Sequence, residues 1–147
     1  MEAWTLIRSQ KDIGRLLAAY AGFHDACLAD LHYRSGIGVE TYGAMHLSGP
    51  EERVLTAVFH SPWAGRLALR FSGVRRFSAA GWQERHDKAI PGCYLAIRTD
   101  LLPNQEEPLI VWADSEAFSP EQEVGALPPE PMASFVIASQ LEWRRLL

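Results

Sequence analysis

Two pairs of side chains in this sequence are of types that could support catalysis or bind a metal. The first pair is His24-Asp25, because a histidine beside a carboxylate can ligate a metal or act as a general base with an orienting partner. The pair falls between a predicted helix and a predicted strand. At such a junction Asp25 more simply accepts backbone hydrogen bonds in a turn, and His24 lies where a helix end favours a cation. We therefore expect a structural role for this pair.

The second pair is His32 and His46, which lie on either side of a predicted turn. A hairpin centred near Val39 sets the two rings opposite each other on one polar face, where they could share a proton or bind a metal. Two histidines are too few for a zinc site, and Asp30 is the one nearby residue with ligand spacing. We predict no metal, no cofactor and no catalytic residue. The two pairs together form a candidate polar cluster of His24, Asp25, His32 and His46.

The chain carries no motif for nucleophilic catalysis or phosphate binding. Cys27 and Cys93 occupy apolar strand positions rather than an exposed turn, so we expect buried, unreactive thiols. The run Ser-Gly-Ile-Gly at 35–38 lacks the Gly-Lys-Ser/Thr of a phosphate-binding loop and is interpreted as a hairpin turn. Trp63, in the predicted turn Ser-Pro-Trp-Ala-Gly, is expected to cover the core rather than to anchor an interface.

The charged residues are divided unevenly along the chain. Residues 1–98 carry 12 basic and 9 acidic side chains, whereas residues 99–147 carry 2 and 9. No Lys or Arg lies between Arg98 and Arg144. Such a separation acts on partners through the long-range electrostatic field. We predict an acidic C-terminal surface that contacts a basic partner protein through Glu106, Glu107, Asp114, Glu116, Glu121 and Glu123.

The composition argues against nucleic acids and membranes as partners. The pI is about 5.7, and the arginines at 66–76 have no aromatic stacking motif among them. No apolar stretch approaches the ~20 residues that span a bilayer, and the start Met-Glu-Ala-Trp lacks the features of a signal peptide. We therefore expect a cytoplasmic protein, and the reducing cytosol favours free thiols over a disulfide between Cys27 and Cys93. The oligomeric state stays open.

One helix is predicted, over about residues 9–22. Ser9 followed by Asp12 resembles a capping box, and Gly22 ends the helix in a left-handed cap. The apolar positions between them follow helical spacing and are expected to pack on a sheet. These positions are Ile13, Leu16, Leu17 and Tyr20.

About seven short strands follow between residues 25 and 145, because apolar and polar residues alternate in successive runs separated by turn residues. Residues 78–91 favour neither a loop nor a helical turn. Residues 114–131 contain four prolines and are predicted to form a long acidic loop.

The predicted fold is a single domain over residues 1–147, since this length suffices to bury a core. Its class is mainly β (α+β), an antiparallel β-sandwich or partly open barrel with one N-terminal helix packed on it.

Two runs carry a resemblance to a known group of proteins. Phe23-His24-Asp25-Ala26 leads into an alternating strand, and Leu-Arg-Phe-Ser-Gly-Val occupies 69–74. Together they resemble small uncharacterised bacterial proteins of mainly β structure, some of which are predicted immunity proteins of polymorphic toxin systems. The resemblance implies a non-enzymatic protein that binds and blocks a cognate toxin.

We therefore expect a non-enzymatic cytoplasmic binding protein, of the immunity type or otherwise, that engages a basic partner through its acidic C-terminal surface. The alternative is a small enzyme, or a ligand-binding or metal-binding protein, that uses the His/Asp cluster. A structural or regulatory subunit is the third interpretation. The enzyme needs its polar groups to converge in one pocket, whereas the binding protein needs its carboxylates on one exposed face.

Overall fold

The computed structural model describes residues 2–79, 89–123 and 133–147. Within these ranges the chain is mainly β, with one helix longer than a single turn. The strands are β1 (Thr5–Ile7), β2 (Cys27–Arg34), β3 (Gly38–Val39), β4 (Met45–His46), β5 (Val54–Ser61), β6 (Gly65–Ser78), β7 (Tyr94–Arg98), β8 (Leu109–Ala113) and β9 (Phe135–Leu146). The helices are α1 (Gln10–Ala19) and the single turn α2 (Pro120–Glu123), and short 3₁₀ turns occupy Ala21–Phe23 and Pro50–Glu52.

Seven strands form one antiparallel sheet in the order β2, β5, β6, β9, β8, β7, with β1 paired to β9. Strand β9 pairs with β6 along one edge. Its other edge is shared, because residues 135–138 pair with β8 and residues 141–143 pair with β1. The sheet is open, and β3 and β4 form a separate hairpin. The predicted class, a mainly antiparallel β fold with one packed helix, is confirmed.

Helix α1 begins where its sequence provides a cap. Ser9 is the N-cap, and its hydroxyl accepts a hydrogen bond from the Asp12 N–H at 3.3 Å. Isolated helices shorter than ~12–15 residues are marginal in water, so burial must hold this ten-residue helix in place. Its apolar face packs on the sheet, as predicted, through the buried Ile13 and Leu16 and the partly buried Leu17, and the C-cap residue Tyr20 is buried in the same core.

The main core lies between α1 and the sheet and is centred on aromatic rings. The Phe23 ring centroid lies 5.1 Å from those of Tyr20 and Phe59 and 5.8 Å from that of Trp112. Edge-to-face and tilted ring contacts of this kind stabilise the fold by more than the burial of their apolar area alone would. A second, smaller core involves the opposite face of β8, which explains why every residue of that strand is buried. Its buried members are Leu101, Leu109, Val111, Ala113, Phe118, Phe135 and Ile137.

A left-handed turn joins α1 to β2. Ala21, Gly22, Phe23 and Asp25 all have positive φ, between 52° and 64°. Left-handed backbone costs a residue other than glycine ~1–2 kcal/mol, so tertiary contacts must hold the turn in this conformation. Phe23 provides them, since its ring is fully buried among the core aromatics. The turn consequently presents His24 and Asp25 at the molecular surface.

The described structure differs from the predicted elements in several places. Strand β1 precedes the helix and was not predicted, because three residues are too few to show a period. Of the predicted loop 114–131, residues 120–123 form α2 and residues 124–131 lie outside the described ranges, as do residues 80–88 of the undecided segment. No helix in the described ranges is long and apolar enough to cross a membrane.

Candidate partner-binding surface

A two-stranded hairpin projects from the sheet between β2 and β5. Every residue from 36 to 47 is exposed. Strands β3 and β4 pair through Val39 with Met45 and through Gly38 with His46. The hairpin therefore stands clear of both cores, and solvent surrounds it.

Backbone hydrogen bonds and close packing at the base define the shape of this hairpin. The Glu40 N–H donates to the Ala44 carbonyl at 2.7 Å, and the Gly43 N–H donates to the Glu40 carbonyl at 2.8 Å. At the base, a Cβ added to Gly36 would lie 2.9 Å from the Cβ of Glu52, so only glycine fits there. The projection thus has its own hydrogen-bonded turn and a tight attachment.

One face of the hairpin is apolar. Side chains alternate between the two faces of a strand, so the pair Val39 and Met45 shares a face with Ile37 and Leu47, and Tyr42 lies at the tip. These five side chains are between 53% and 79% exposed. Large apolar side chains that are exposed together on one face are typical of an interaction site, whereas single exposed ones are common. We call these five residues the apolar hairpin.

The opposite face and the base of the hairpin are acidic. The His46 ring lies with Nε2 at 3.4 Å from Glu52 Oε2 and Nδ1 at 3.9 Å from Glu40 Oε1. Residues 35–52 contain three glutamates, Glu40, Glu51 and Glu52, and no Lys or Arg. The segment 35–52 therefore carries three carboxylates and no Lys or Arg, and Arg34 and Arg53 border it on either side.

The predicted pairing of His32 with His46 is wrong. His32 on β2 is opposite Thr56 on β5, and His46 is opposite Gly38. The turn at 35–38 does not fold β2 back on the next strand, because β2 pairs instead with β5, whose alternating apolar residues cover the same core. The residues His24, Asp25, His32 and His46 thus occupy three separate places and form no single cluster.

His24 and Asp25 do meet, at a corner of the molecule that also contains Trp63. His24 Nε2 lies 3.4 Å from Asp25 Oδ2, and His24 Nδ1 lies 3.0 Å from the Pro91 carbonyl oxygen. Trp63 Nε1 donates to the same Asp25 oxygen at 3.3 Å. We call His24, Asp25 and Trp63 the tryptophan corner. Asp25 thus accepts a side-chain hydrogen bond that links the helix-to-strand turn to the β5–β6 turn.

Two further predictions about single residues are wrong. Trp63 does not cover the core, since its side chain is 74% exposed. Cys27 is an exposed free thiol rather than a buried one, because an irregularity in the pairing between Leu28 and Asp30 changes which side chains of edge strand β2 face the core. Cys93 is also free, and burial, followed by the nearby Glu116, raises its thiol pKa to about 12.

The predicted acidic surface is partly neutralised by arginines from earlier in the chain. Glu107 Oε1 accepts a hydrogen bond from the Ser139 hydroxyl at 2.8 Å and lies 2.5 Å from Arg75 Nη2, and these two donors, Ser139 first, lower the pKa of Glu107. Arg98 pairs with both Asp100 and Glu121 and lowers the pKa of each carboxyl. Glu107, Asp100 and Glu121 are therefore paired with arginines of the same molecule.

The remaining predicted acidic residues differ in their exposure. Asp114 is directed inward, where Oδ1 accepts a hydrogen bond from the Ser134 N–H at 3.1 Å and burial raises its pKa. Glu106 and Glu116 are exposed. Glu123 ends helix α2, and its side chain lies outside the described part of the structure. Two of the six carboxylates are thus exposed without a described arginine partner.

Sequence reasoning missed the apolar hairpin, although a signal was present. Ile37, Val39, Met45 and Leu47 alternate on both sides of a turn, which indicates one apolar face, but nothing in the pattern shows whether that face is covered. In the described residues no group of three or more His, Cys, Asp or Glu side chains could hold a metal ion.

No protein-family model, curated protein or solved structure matches this chain. The resemblance to predicted immunity proteins therefore stays a prediction.

Proposed function

We propose that this chain is a non-enzymatic binding protein that engages a basic partner protein through the apolar hairpin. The observation that carries the proposal is the hairpin itself: five large apolar side chains on a projection that has its own backbone hydrogen bonds. Exposure of these side chains to water is unfavourable, because burying one of them lowers the free energy by roughly 1.5–3 kcal/mol. Contact with a partner recovers that energy.

The residue types of the hairpin suit an interface. Tyr and Met are enriched in protein interfaces, and a rigid tyrosine at a tip gives a large contact area for little conformational entropy. The hydrogen-bonded turn reduces the ordering cost further, since preorganised segments lose less freedom on binding. A concave apolar site on the partner would match this projection.

The charge around the hairpin favours a basic partner. Glu40 and Glu52 lie near His46 on the face opposite the apolar side chains, Glu51 lies at the base, and residues 35–52 contain no Lys or Arg. Complementary charge mainly raises the association rate and excludes wrong partners. Glu106 and Glu116 of the acidic C-terminal surface are exposed and also favour a basic partner. Their charges attract that partner during diffusion and raise the association rate without forming part of the contact.

Two finer parts of the proposal have their own support. A cytoplasmic location fits the two free thiols, because exposed free cysteine is more usual in a reducing compartment. An immunity role, in which the partner is a toxin, rests on the sequence resemblance and on the preference for a basic partner. The enzyme alternative has no comparable support, since His32 and His46 lie apart from each other and from the His24–Asp25 pair, so the four residues do not converge in one site.

The proposal is tested by a change confined to the apolar hairpin. The variant carries Val39→Ser and Met45→Ser, and the matched control carries Leu147→Ser, which removes an apolar side chain that is 85% exposed elsewhere. Proteins of the source cells that the wild type and the control retain, but the hairpin variant does not, are identified and purified.

Calorimetric titration of the purified partner then measures the dissociation constant. We expect the hairpin variant to bind at least about tenfold more weakly than the control, as truncation of interface anchors usually costs more than 1 kcal/mol. Equal affinities for the hairpin variant and the control would refute the proposal. Circular dichroism of both variants checks that the fold is intact.

A further inference from the structure

The tryptophan corner contains an aromatic side chain that is held by a hydrogen bond and is largely exposed. Trp63 is 74% exposed, and its Nε1 donates to Asp25 Oδ2. The indole N–H points outward in the plane of the ring, so this hydrogen bond holds the ring without covering either face. The backbone is also fixed, because Ser61 Oγ accepts hydrogen bonds from the N–H groups of Trp63 and Ala64 at 3.1 and 3.0 Å.

At Trp4 the same molecule has an indole ring that is already covered by arginine side chains. The guanidinium carbon of Arg70 lies 4.2 Å from the centroid of the Trp4 ring, and that of Arg144 lies 4.4 Å from it. Arg70 Nε also donates to Glu142 Oε1 at 2.6 Å. An indole face, a guanidinium and a carboxylate therefore meet in one place, which is a favourable arrangement because the cation interacts with both other groups.

Trp63 and Asp25 supply two of these three groups. The Asp25 side chain is 44% exposed, so its carboxylate can receive a further donor. Both cation–π contacts in the described residues involve Trp4, and none involves Trp63. We propose that the tryptophan corner binds an arginine side chain of the partner protein. This inference rests on the proposed function and names the residue type that the basic partner must present.

Arginine fits this corner better than lysine does. The planar guanidinium can stack on the indole face while its edge donates to the adjacent carboxylate, whereas an ammonium group is more strongly hydrated and has no stacking face. The left-handed turn at 21–25 fixes the aspartate, and the Asp25 N–H donates to the Ile90 carbonyl at 2.8 Å. A site that is already ordered loses little freedom when it binds.

The test uses the isolated protein and a short peptide, acetyl-Gly-Arg-Gly-amide. The ¹H–¹⁵N NMR resonance of the Trp63 indole is followed during titration and is assigned by its absence in Trp63→Phe. Two control peptides replace arginine with citrulline, which has nearly the same shape without the charge, or with lysine. The Trp4 indole serves as an internal control, because arginines of the protein already occupy its ring.

We expect the arginine peptide to shift the Trp63 resonance and to bind at least about fivefold more tightly than the citrulline peptide. Asp25→Asn, which keeps the shape of the side chain, should weaken binding by a similar factor. The Trp4 resonance should stay in place. Equal responses to arginine and citrulline, or an unshifted Trp63 resonance, would overturn the inference. A lysine peptide that binds as well as the arginine peptide would overturn the assignment to arginine.

Failure of this site can be told apart from failure of the proposed function. If the peptide has no effect while the apolar hairpin still controls partner affinity, only the tryptophan corner is refuted. If the peptide binds as expected while hairpin substitutions leave partner affinity unchanged, the proposal for the hairpin is refuted instead.

Discussion

The left-handed turn that positions the tryptophan corner can be tested by exchanging glycine and alanine at two neighbouring positions. Ala21 has φ of 52° and is exposed, so replacing it with glycine removes backbone strain and almost no contact. Relief of the left-handed backbone strain should raise the free energy of unfolding by ~1–2 kcal/mol. The greater freedom of glycine in the unfolded chain offsets ~0.4–1 kcal/mol of that gain. Ala21→Gly should therefore stabilise the protein by about 0.5–1 kcal/mol.

The reverse exchange at Gly22 should have the opposite effect. Gly22 has φ of 62°, and a Cβ placed there would meet nothing within 4 Å, so strain is the main cost. Gly22→Ala should destabilise by about 0.5–1 kcal/mol. Gly14→Ala in helix α1 is the matched control: it also has open space and should stabilise by about 0.5–1 kcal/mol.

Urea denaturation followed by tryptophan fluorescence measures all three variants. The midpoint should rise for Ala21→Gly and Gly14→Ala and fall for Gly22→Ala, while the slope of the free energy against urea stays constant. If Gly22→Ala stabilised the protein as Gly14→Ala does, the turn would not be left-handed in solution. The geometry derived for the tryptophan corner would then be incorrect.

Three further predictions concern helix α1 and the acidic surface. Leu16→Ala should cost about 2–5 kcal/mol in urea denaturation and more than Leu17→Ala, because Leu16 is fully buried and Leu17 only partly so; equal losses would contradict this packing. Burial raises the pKa of Tyr20 from 10.0 to about 12. The stabilisation by the neutral, buried Tyr20 is therefore fully present below pH 10 and is lost as the pH rises toward 12, because the unfolded chain loses its phenol proton first. In Tyr20→Phe the alkaline loss of stability should be shallower, by up to about 1.4 kcal/mol per pH unit, and an unchanged slope would show that this tyrosine ionises freely in the folded protein. Replacing Glu106 and Glu116 together with Gln should slow association with the basic partner at low salt and leave the rate at high salt nearly unchanged, as stopped-flow kinetics would show; a slower rate at both salt concentrations would indicate direct contact instead of steering.

The helix and the fold class could be predicted because their signals are local. The Ser9 cap and the helical spacing of Ile13, Leu16 and Tyr20 determine where α1 begins and which face it buries. Alternating runs indicated antiparallel strands. The irregularity near Ala29 could not be foreseen, because it depends on how β2 fits against β5, and it determines that Cys27 is exposed.

The candidate surfaces were harder to predict because they depend on contacts between distant residues. Arg75 and Arg98 neutralise carboxylates that look unpaired in the sequence, and Arg75 is more than 30 residues from Glu107. The apolar hairpin has the pattern of a half-buried strand pair, and only the three-dimensional structure leaves that face uncovered. Trp63 reaches Asp25 because the β5–β6 turn and the left-handed turn lie side by side.

The most direct test of the proposed binding surface is site-specific photo-crosslinking in the source cells. A benzophenone amino acid replaces Tyr42 at the hairpin tip, which is 79% exposed, and in a control replaces the 85% exposed Leu147. We predict that irradiation joins one basic protein to position 42 and that the same product is absent from position 147. A crosslinked product at position 147 alone, or none at position 42, would refute the apolar hairpin as the binding surface.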